Sequence, residues 1–165
     1  MFKIGITGSI GTGKTTIAKA FTLLNIPLFD ADDEVKSLLN EQEIVKKIKK
    51  EWPDTIENNS INKKKLKTHI FSKDLDKTKL ENIIHPALNV KKTFFNKTNK
   101  NKLLVVYDVP LIYETKSHKS YNLIILAKCD EKKQKERVLK RDNIDEKLFE
   151  KIKNSQFSVK KKIEI

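Results

Sequence analysis

The chain has 165 residues, enough for one domain with a sizeable hydrophobic core. Its single cysteine, Cys129, excludes an internal disulfide framework and a cysteine-built metal site, and no apolar run is long enough to cross a bilayer. Basic residues outnumber acidic ones 35 to 22, a net charge of +13, but the lysines are scattered and no aromatic residues interleave with the clusters at Lys46–Lys50 or Lys63–Lys67, so a specific nucleic-acid surface is not expected.

Phe2-Lys3-Ile4-Gly5-Ile6 reads as a short strand, with no signal-peptide pattern ahead of it. The stretch Gly8-Ser9-Ile10-Gly11-Thr12-Gly13-Lys14-Thr15 then matches G-x-x-x-x-G-K-T, and Thr16-Ile17-Ala18-Lys19-Ala20-Phe21 continues at helical spacing. Strand, glycine loop and helix in that order form the phosphate-binding arrangement of nucleotide-using proteins. Glycines let backbone N–H groups turn inward toward phosphate oxygens, and the helix start adds its positive end. Gly8, Gly11, Thr12, Gly13, Lys14, Thr15 and Thr16 are therefore the expected contacts to a nucleoside triphosphate. Lys14 reaches the outer phosphates as a point charge, and the Thr15 hydroxyl is the first expected Mg2+ ligand.

Ile26-Pro27-Leu28-Phe29 is a second short strand ending at Asp30-Ala31-Asp32-Asp33, where a helix is expected to start. From Glu41 to Lys102 the pattern is helix-like and charged, interrupted by Trp52-Pro53 and a polar turn at Glu57-Asn58-Asn59-Ser60, with no strand expected. Leu103 to Asp108 is a buried strand closed by Asp108, the position of a second Mg2+-proximal acid. Tyr121 to Ala127 is another buried strand, Asp130 to Arg141 a basic helix, and a further helix runs from about Glu146 into Lys162. Alternating strands and helices predict an α/β fold with a parallel sheet, the nucleotide lying at the carboxyl ends of the strands. The expected division is a single domain with its core at about 1–35 and 103–165, a helical acceptor-binding insertion at about 36–102, and a lid at about 137–156.

A guanine-reading N-K-x-D is missing, since Asn96-Lys97-Thr98-Asn99 ends in asparagine, and Asp108-Val109-Pro110-Leu111 lacks the glycine of a GTPase switch. A motor or transporter ATPase needs a longer chain. A small-molecule kinase remains, needing an acid for the acceptor hydroxyl, magnesium, and an arginine-bearing lid. Asp30 and Asp32, two apart at a strand end, are the candidate acids; the bland alternative is helix capping. Arg137 and Arg141 are the only arginines among these lysines and lie four apart, on one helix face. Bidentate phosphate clamping suits them, the alternative being an ordinary exposed helix face.

Ile4 to Thr15 resembles the I-G-L-T-G-G-I-G-S-G-K-S opening of the dephospho-coenzyme A kinase family. Asp30-Ala31-Asp32 is similar to its D-A-D, Ile83-Ile84-His85-Pro86 to its I-I-H-P, and Asp108 to Glu114 to its D-x-P-L-L-F-E. Gln134, Arg137, Arg141 and Gln156 are similar to its Q-x-x-R-x-x-x-R … Q lid region. The resemblance runs over the whole chain in order. It implies a P-loop NTPase fold with three α/β/α layers, a helical substrate-binding insertion and a lid. It implies transfer of the ATP γ-phosphoryl group to the ribose 3′-hydroxyl of dephospho-coenzyme A, with ATP and Mg2+, the last step in making coenzyme A. Lys14, Asp32, Arg137 and Arg141 become the catalytic set, with Asp32 as base or positioner of the hydroxyl. Asp30, Asp32, His85, Tyr113 and Glu114 become the acceptor set, and Thr15 and Asp108 the Mg2+ ligands. For His85 the alternative is a helix brace ahead of Pro86, and for Tyr113 simple packing.

The resemblance further implies a cytoplasmic enzyme, a monomer or weak homo-oligomer, with no membrane or specific nucleic-acid partner. Ser9 stands where the family usually has glycine, and Asn122 where it has aspartate. In the family a further strand resembling A-D-x-V-I-x-N and a terminal helix come after the position of Ile165, so an exposed sheet edge is expected. The other readings are a kinase of a nucleoside or nucleotide acceptor, and a truncated nucleotide-binding protein with little activity.

Overall fold

The computed structural model describes residues 1–72, 74–142 and 145–165, leaving aside the side chains of 71, 72, 74, 141 and 142. The chain divides into two compact units, one made of Met1–Asp30 with Asn99–Ile165 and the other of Ala31–Thr98.

The first unit is built on a four-stranded sheet in the order β2-β5-β1-β6. Its strands are β1 (Phe2–Thr7), β2 (Leu28–Asp30), β5 (Leu104–Asp108) and β6 (Leu123–Leu126). Every pairing is parallel, with Ile4 opposite Val106 and Leu123. Such strands are covered on both faces, which is why β1 and β5 are runs of buried apolar residues rather than alternating ones. Helix α1 (Lys14–Thr22) lays Ala18 on a core of Ile4, Ile6 and Val106, flanked by Ile17, Phe21 and Leu28. Tyr107 is fully buried, its ring 5.8 Å from Phe29 and 5.4 Å from Tyr121. Burial pushes the phenols of Tyr107 and Tyr121 up to about 12, so the stack stays uncharged.

The unit closes with α6 (Glu131–Asp142), α7 (Glu146–Asn154) and α8 (Val159–Glu164). The single helix expected from Glu146 to Lys162 is thus two, broken between Ser155 and Ser158. Asp145 caps α7 by accepting from Leu148 N, and Ser158 caps α8 by accepting from Lys161 N.

The Ala31–Thr98 unit contains α2 (Ala31–Leu38), α3 (Gln42–Glu51), α4 (Lys63–Ser72) and α5 (Asp74–Thr98) around a core of its own. Leu38, Ile44, Ile48, Trp52, Leu66 and Ile84 form that core. The polar turn at residues 57–60 is the tip of a small antiparallel hairpin, β3 (Ile56–Glu57) and β4 (Ser60–Ile61), in a region where no strand was expected. Asn58 and Asn59 both take left-handed backbone angles, φ 48° and 60°, which a tight two-residue hairpin turn demands and asparagine tolerates.

Ile48 is fully buried in this core, so Ile48→Ala is expected to cost about 2–4 kcal/mol of stability in urea unfolding. Leu75→Ala, at a position that is 76% exposed, should stay within about 0.5 kcal/mol. Equal costs at the two positions would contradict the assignment of the core.

Candidate nucleotide site

The loop from Gly8 to Gly13 follows the carboxyl end of β1 and runs into α1. Its shape is held by one carbonyl. Ser9 O accepts from Thr12 N at 3.3 Å, from Thr12 Oγ1 at 2.8 Å and from Lys14 Nζ at 3.3 Å. Ser9 is not among the residues with positive φ, so its side chain replaces a glycine without backbone strain. Gly11 and Gly13 differ. Gly13, at φ 92°, is the residue just before α1, and Gly11 sits at φ 76°. A Cβ on Gly11 would lie 2.4 Å from Val138 Cγ2 and 3.0 Å from Gln134 O, so the loop packs directly on α6. The curl leaves α1 beginning without a side-chain cap, its first N–H groups available to an anion.

Parallel pairing brings the functional strand ends together. Asp108, which ends β5, is register partner of both Ile6 in β1 and Asp30 in β2. Asp108 is 3% exposed, and its Oδ2 accepts from Thr15 Oγ1 at 2.8 Å. A hydroxyl and a carboxylate in contact are two hard oxygen donors of the kind magnesium takes while keeping several waters. Among the described residues no group of three or more histidine, cysteine or acidic side chains gathers as a metal cage.

A cleft of about 760 Å³ opens beside the loop, lined by Gly11, Thr12, Gly13, Thr16, Ile17, Arg137 and Lys140. Arg137 projects from α6, and its Nη1 lies 3.9 Å from where a Cβ on Gly13 would be. The guanidinium is therefore at the loop. Arg141 falls in the last turn of the same helix, outside the described side chains.

The remaining expected residues are placed differently. Asp32 is exposed in the first turn of α2, so Asp30 and Asp32 do not share one extended segment; the helix starts between them, at Ala31. His85 is exposed inside α5, with Pro86 in the helix interior, so the alternative of a brace at a helix start fails. Tyr113 stacks on His118 at 5.8 Å between ring centroids. Glu114 Oε1 accepts from Phe157 N at 2.7 Å and pairs with Lys162 Nζ at 3.0 Å. Two contacts of the loop were not expected from sequence: Gln134 Nε2 donates to Ile10 O at 2.6 Å, and Ile10 N donates to Gln156 Oε1 at 3.0 Å. Both glutamines stand in the lid pattern, but nothing in their spacing says that they face the loop.

The family model described as dephospho-CoA kinase matches residues 2–165. A dephospho-CoA kinase of Bartonella quintana is 37% identical over 164 residues, covering 98% of this chain and 84% of that protein. One from Rickettsia conorii is 34% identical over 163 residues, covering 99% of this chain and 84% of the relative. Among solved structures, a Thermus thermophilus protein superposes with a TM-score of 0.84 at 21% identity, covering 99% of this chain and 84% of that one. A dephospho-CoA kinase from Campylobacter jejuni gives a TM-score of 0.63 at 20% identity, covering 98% and 83%. At those identities the structures show the fold alone, an α/β fold with a parallel sheet.

Gly11→Ala should lower nucleotide affinity at least tenfold in titration calorimetry and reduce the melting temperature, because the new methyl must displace Val138 or the loop. Unchanged affinity would mean that the loop does not need this contact with α6.

Proposed function

The chain belongs to the dephospho-CoA kinase family, and from that membership and the geometry of the loop we propose that it phosphorylates the ribose 3′-hydroxyl of dephospho-coenzyme A at the expense of ATP, giving coenzyme A and ADP. The observation that carries the chemistry is the contact of Thr15 with Asp108 at the mouth of a glycine-shaped loop bearing Lys14 and facing Arg137.

In this reading the backbone N–H groups of residues 8–13 and the start of α1 grip the phosphates, and Lys14 adds a point charge at the outer ones. Thr15 and Asp108 would hold Mg2+, whose charge would offset the negative charge that develops during transfer. Asp32 positions the acceptor and takes the proton of its 3′-hydroxyl, with Asp30 supporting. The bond from that oxygen to the γ-phosphorus forms while the bond to the β–γ bridging oxygen breaks, and ADP leaves with the released electron pair. Arg137 and Arg141 stabilise the moving phosphoryl group and keep water from competing for it.

The Ala31–Thr98 unit, with His85, holds the acceptor, and Tyr113 supplies an aromatic surface. Glu114, expected in the acceptor set, has its Oε1 against the Phe157 N–H and the Lys162 ammonium, which supports a positioning role for it over contact with the acceptor. The net charge of +13 favours capture of polyanionic nucleotides without requiring nucleic acid as a partner. A cytoplasmic monomer or weak homo-oligomer fits the free thiol of Cys129. No helix among the described residues is long and apolar enough to cross a membrane.

Asp32→Asn should leave ATP binding within about twofold while lowering dephospho-coenzyme A-dependent ADP release by roughly a hundredfold or more, the scale for a positioned acid or base. Near-normal turnover would remove Asp32 from this role. Lys14→Ala should weaken both binding and turnover, and ordinary kinetics in that variant would contradict the assignment of the loop.

A further inference from the structure

The peptide groups of Ile10, in the middle of the phosphate loop, are gripped from two directions. Gln134, 4% exposed on α6, donates to its carbonyl at 2.6 Å. Gln156 accepts from its N–H at 3.0 Å. Gln156 lies in the break between α7 and α8, where its own N–H still bonds to Lys153 O at 3.1 Å and its side chain is turned to the loop.

That break is itself pinned at one point. Phe157, the next residue, donates its N–H to Glu114 Oε1 at 2.7 Å. Lys162, 1% exposed on α8, reaches the same oxygen at 3.0 Å. Between them Ser158 caps α8, and Lys161 Nζ sits 3.7 Å above the Phe157 ring, so residues 156–162 form a tight corner. All of these residues belong to the unit that carries the phosphate loop.

A buried charge pair is a poor way to gain stability, since well-packed apolar residues of the same volume do as well or better. What it can supply is geometry: with the Lys162 side chain fully buried and that of Glu114 12% exposed, removing either partner strands a charge, which ties the two segments together. Glu114 Oε2 and Lys162 Nζ are both shielded from solvent without a hydrogen-bond partner, so the lysine holds the carboxylate by charge at 3.0 Å and the Phe157 N–H supplies the hydrogen bond that orients it through Oε1.

We infer that Glu114 is a positioning residue of the nucleotide site: with Lys162 it fixes the corner at Phe157, thereby holding Gln156 on Ile10 and the phosphate loop in its anion-receiving shape. Neither residue touches nucleotide, and both act through Gln156. The inference rests on the reading that the loop binds the phosphates of ATP, and it is independent of which acceptor is phosphorylated.

The test is calorimetric binding of magnesium-ADP to the full chain, beside steady-state kinetics, for Gln156→Ala, Glu114→Ala and the two together. Each single variant should weaken ADP binding by about tenfold, the scale of one lost hydrogen bond to a fixed group, and raise the KM for ATP in parallel. The KM for dephospho-coenzyme A should stay within about twofold, because the acceptor is not involved. The double variant should be no weaker than the worse single one, since both cut the same link.

Multiplying losses in the double variant would overturn the inference, as would unchanged ADP affinity in Gln156→Ala. So would a raised KM for dephospho-coenzyme A with normal ADP binding in Glu114→Ala, which would make Glu114 an acceptor ligand instead. Should Glu114→Ala leave Lys162 too costly to bury alone, Glu114→Ala/Lys162→Met strands no charge and carries the same comparison. ADP binding needs no acceptor, so failure to phosphorylate dephospho-coenzyme A would sink the proposed function and leave this test standing.

Discussion

Phosphates have to be met by backbone N–H groups, and those groups converge only if the chain between Gly8 and Gly13 curls in a way most residues resist. Most of the kinase unit follows from meeting that condition. Gly11 carries no side chain because α6 occupies the space, and Gly13 takes a backbone angle that opens α1 uncapped toward an anion. Ser9 gathers three donors onto one carbonyl, so the curl keeps its form from within. Gln134 and Gln156 then hold Ile10 from without. A loop that must be this ordered would lose much conformational freedom on binding if it were free beforehand; these contacts meet that cost during folding.

The parallel sheet does the second part of the work. Its order puts β5 between β1 and β2, so the acids that end two neighbouring strands, Asp30 and Asp108, are in register with each other and close to the start of the loop. Thr15, one residue past the loop lysine, meets Asp108 directly. Asp108, the glycine loop with Thr15, and Arg137 thus come from segments distant in sequence but joined by one sheet and the α6 contact. The Ala31–Thr98 unit carries a separate core and its own network of surface pairs, among them Lys91 with Glu41 and Lys79 with Glu51. Those pairs stay in contact with solvent and add little stability, so the buried aliphatic residues and Trp52 hold that unit together.

The features legible in the sequence are those in which local chemistry dictates geometry. The glycine loop, the apolar run of β5 and the lone arginines announce themselves because no other residue serves there. The hairpin at Ile56–Ile61 escaped, since two-residue strands leave almost no periodic signal and only Asn58-Asn59 marks them. The break between α7 and α8 escaped for the opposite reason: apolar spacing runs on through Phe157 and Val159, and no proline or glycine interrupts it. Alternation misled at Asp30 and Asp32, because an aspartate-rich segment starts a helix before a strand can continue. Lys162 was invisible in a chain so rich in lysine, where only burial separates a structural ammonium from its solvated neighbours. Glu114 could be found in its motif but not understood there, since its partners lie more than forty residues further along.

Geometry and family membership converge on one reaction, and the identity of its product tests them most directly. The purified chain would be incubated with magnesium-ATP and dephospho-coenzyme A, beside adenosine and AMP as control acceptors, and the products resolved by mass and by phosphorus NMR. The account predicts ADP together with a dephospho-coenzyme A derivative that has gained one phosphoryl group, coupled to the ribose 3′-proton, and no comparable product from the controls. Phosphorylation of a control acceptor in preference to dephospho-coenzyme A would contradict it, as would a folded chain that binds ATP yet leaves dephospho-coenzyme A unchanged.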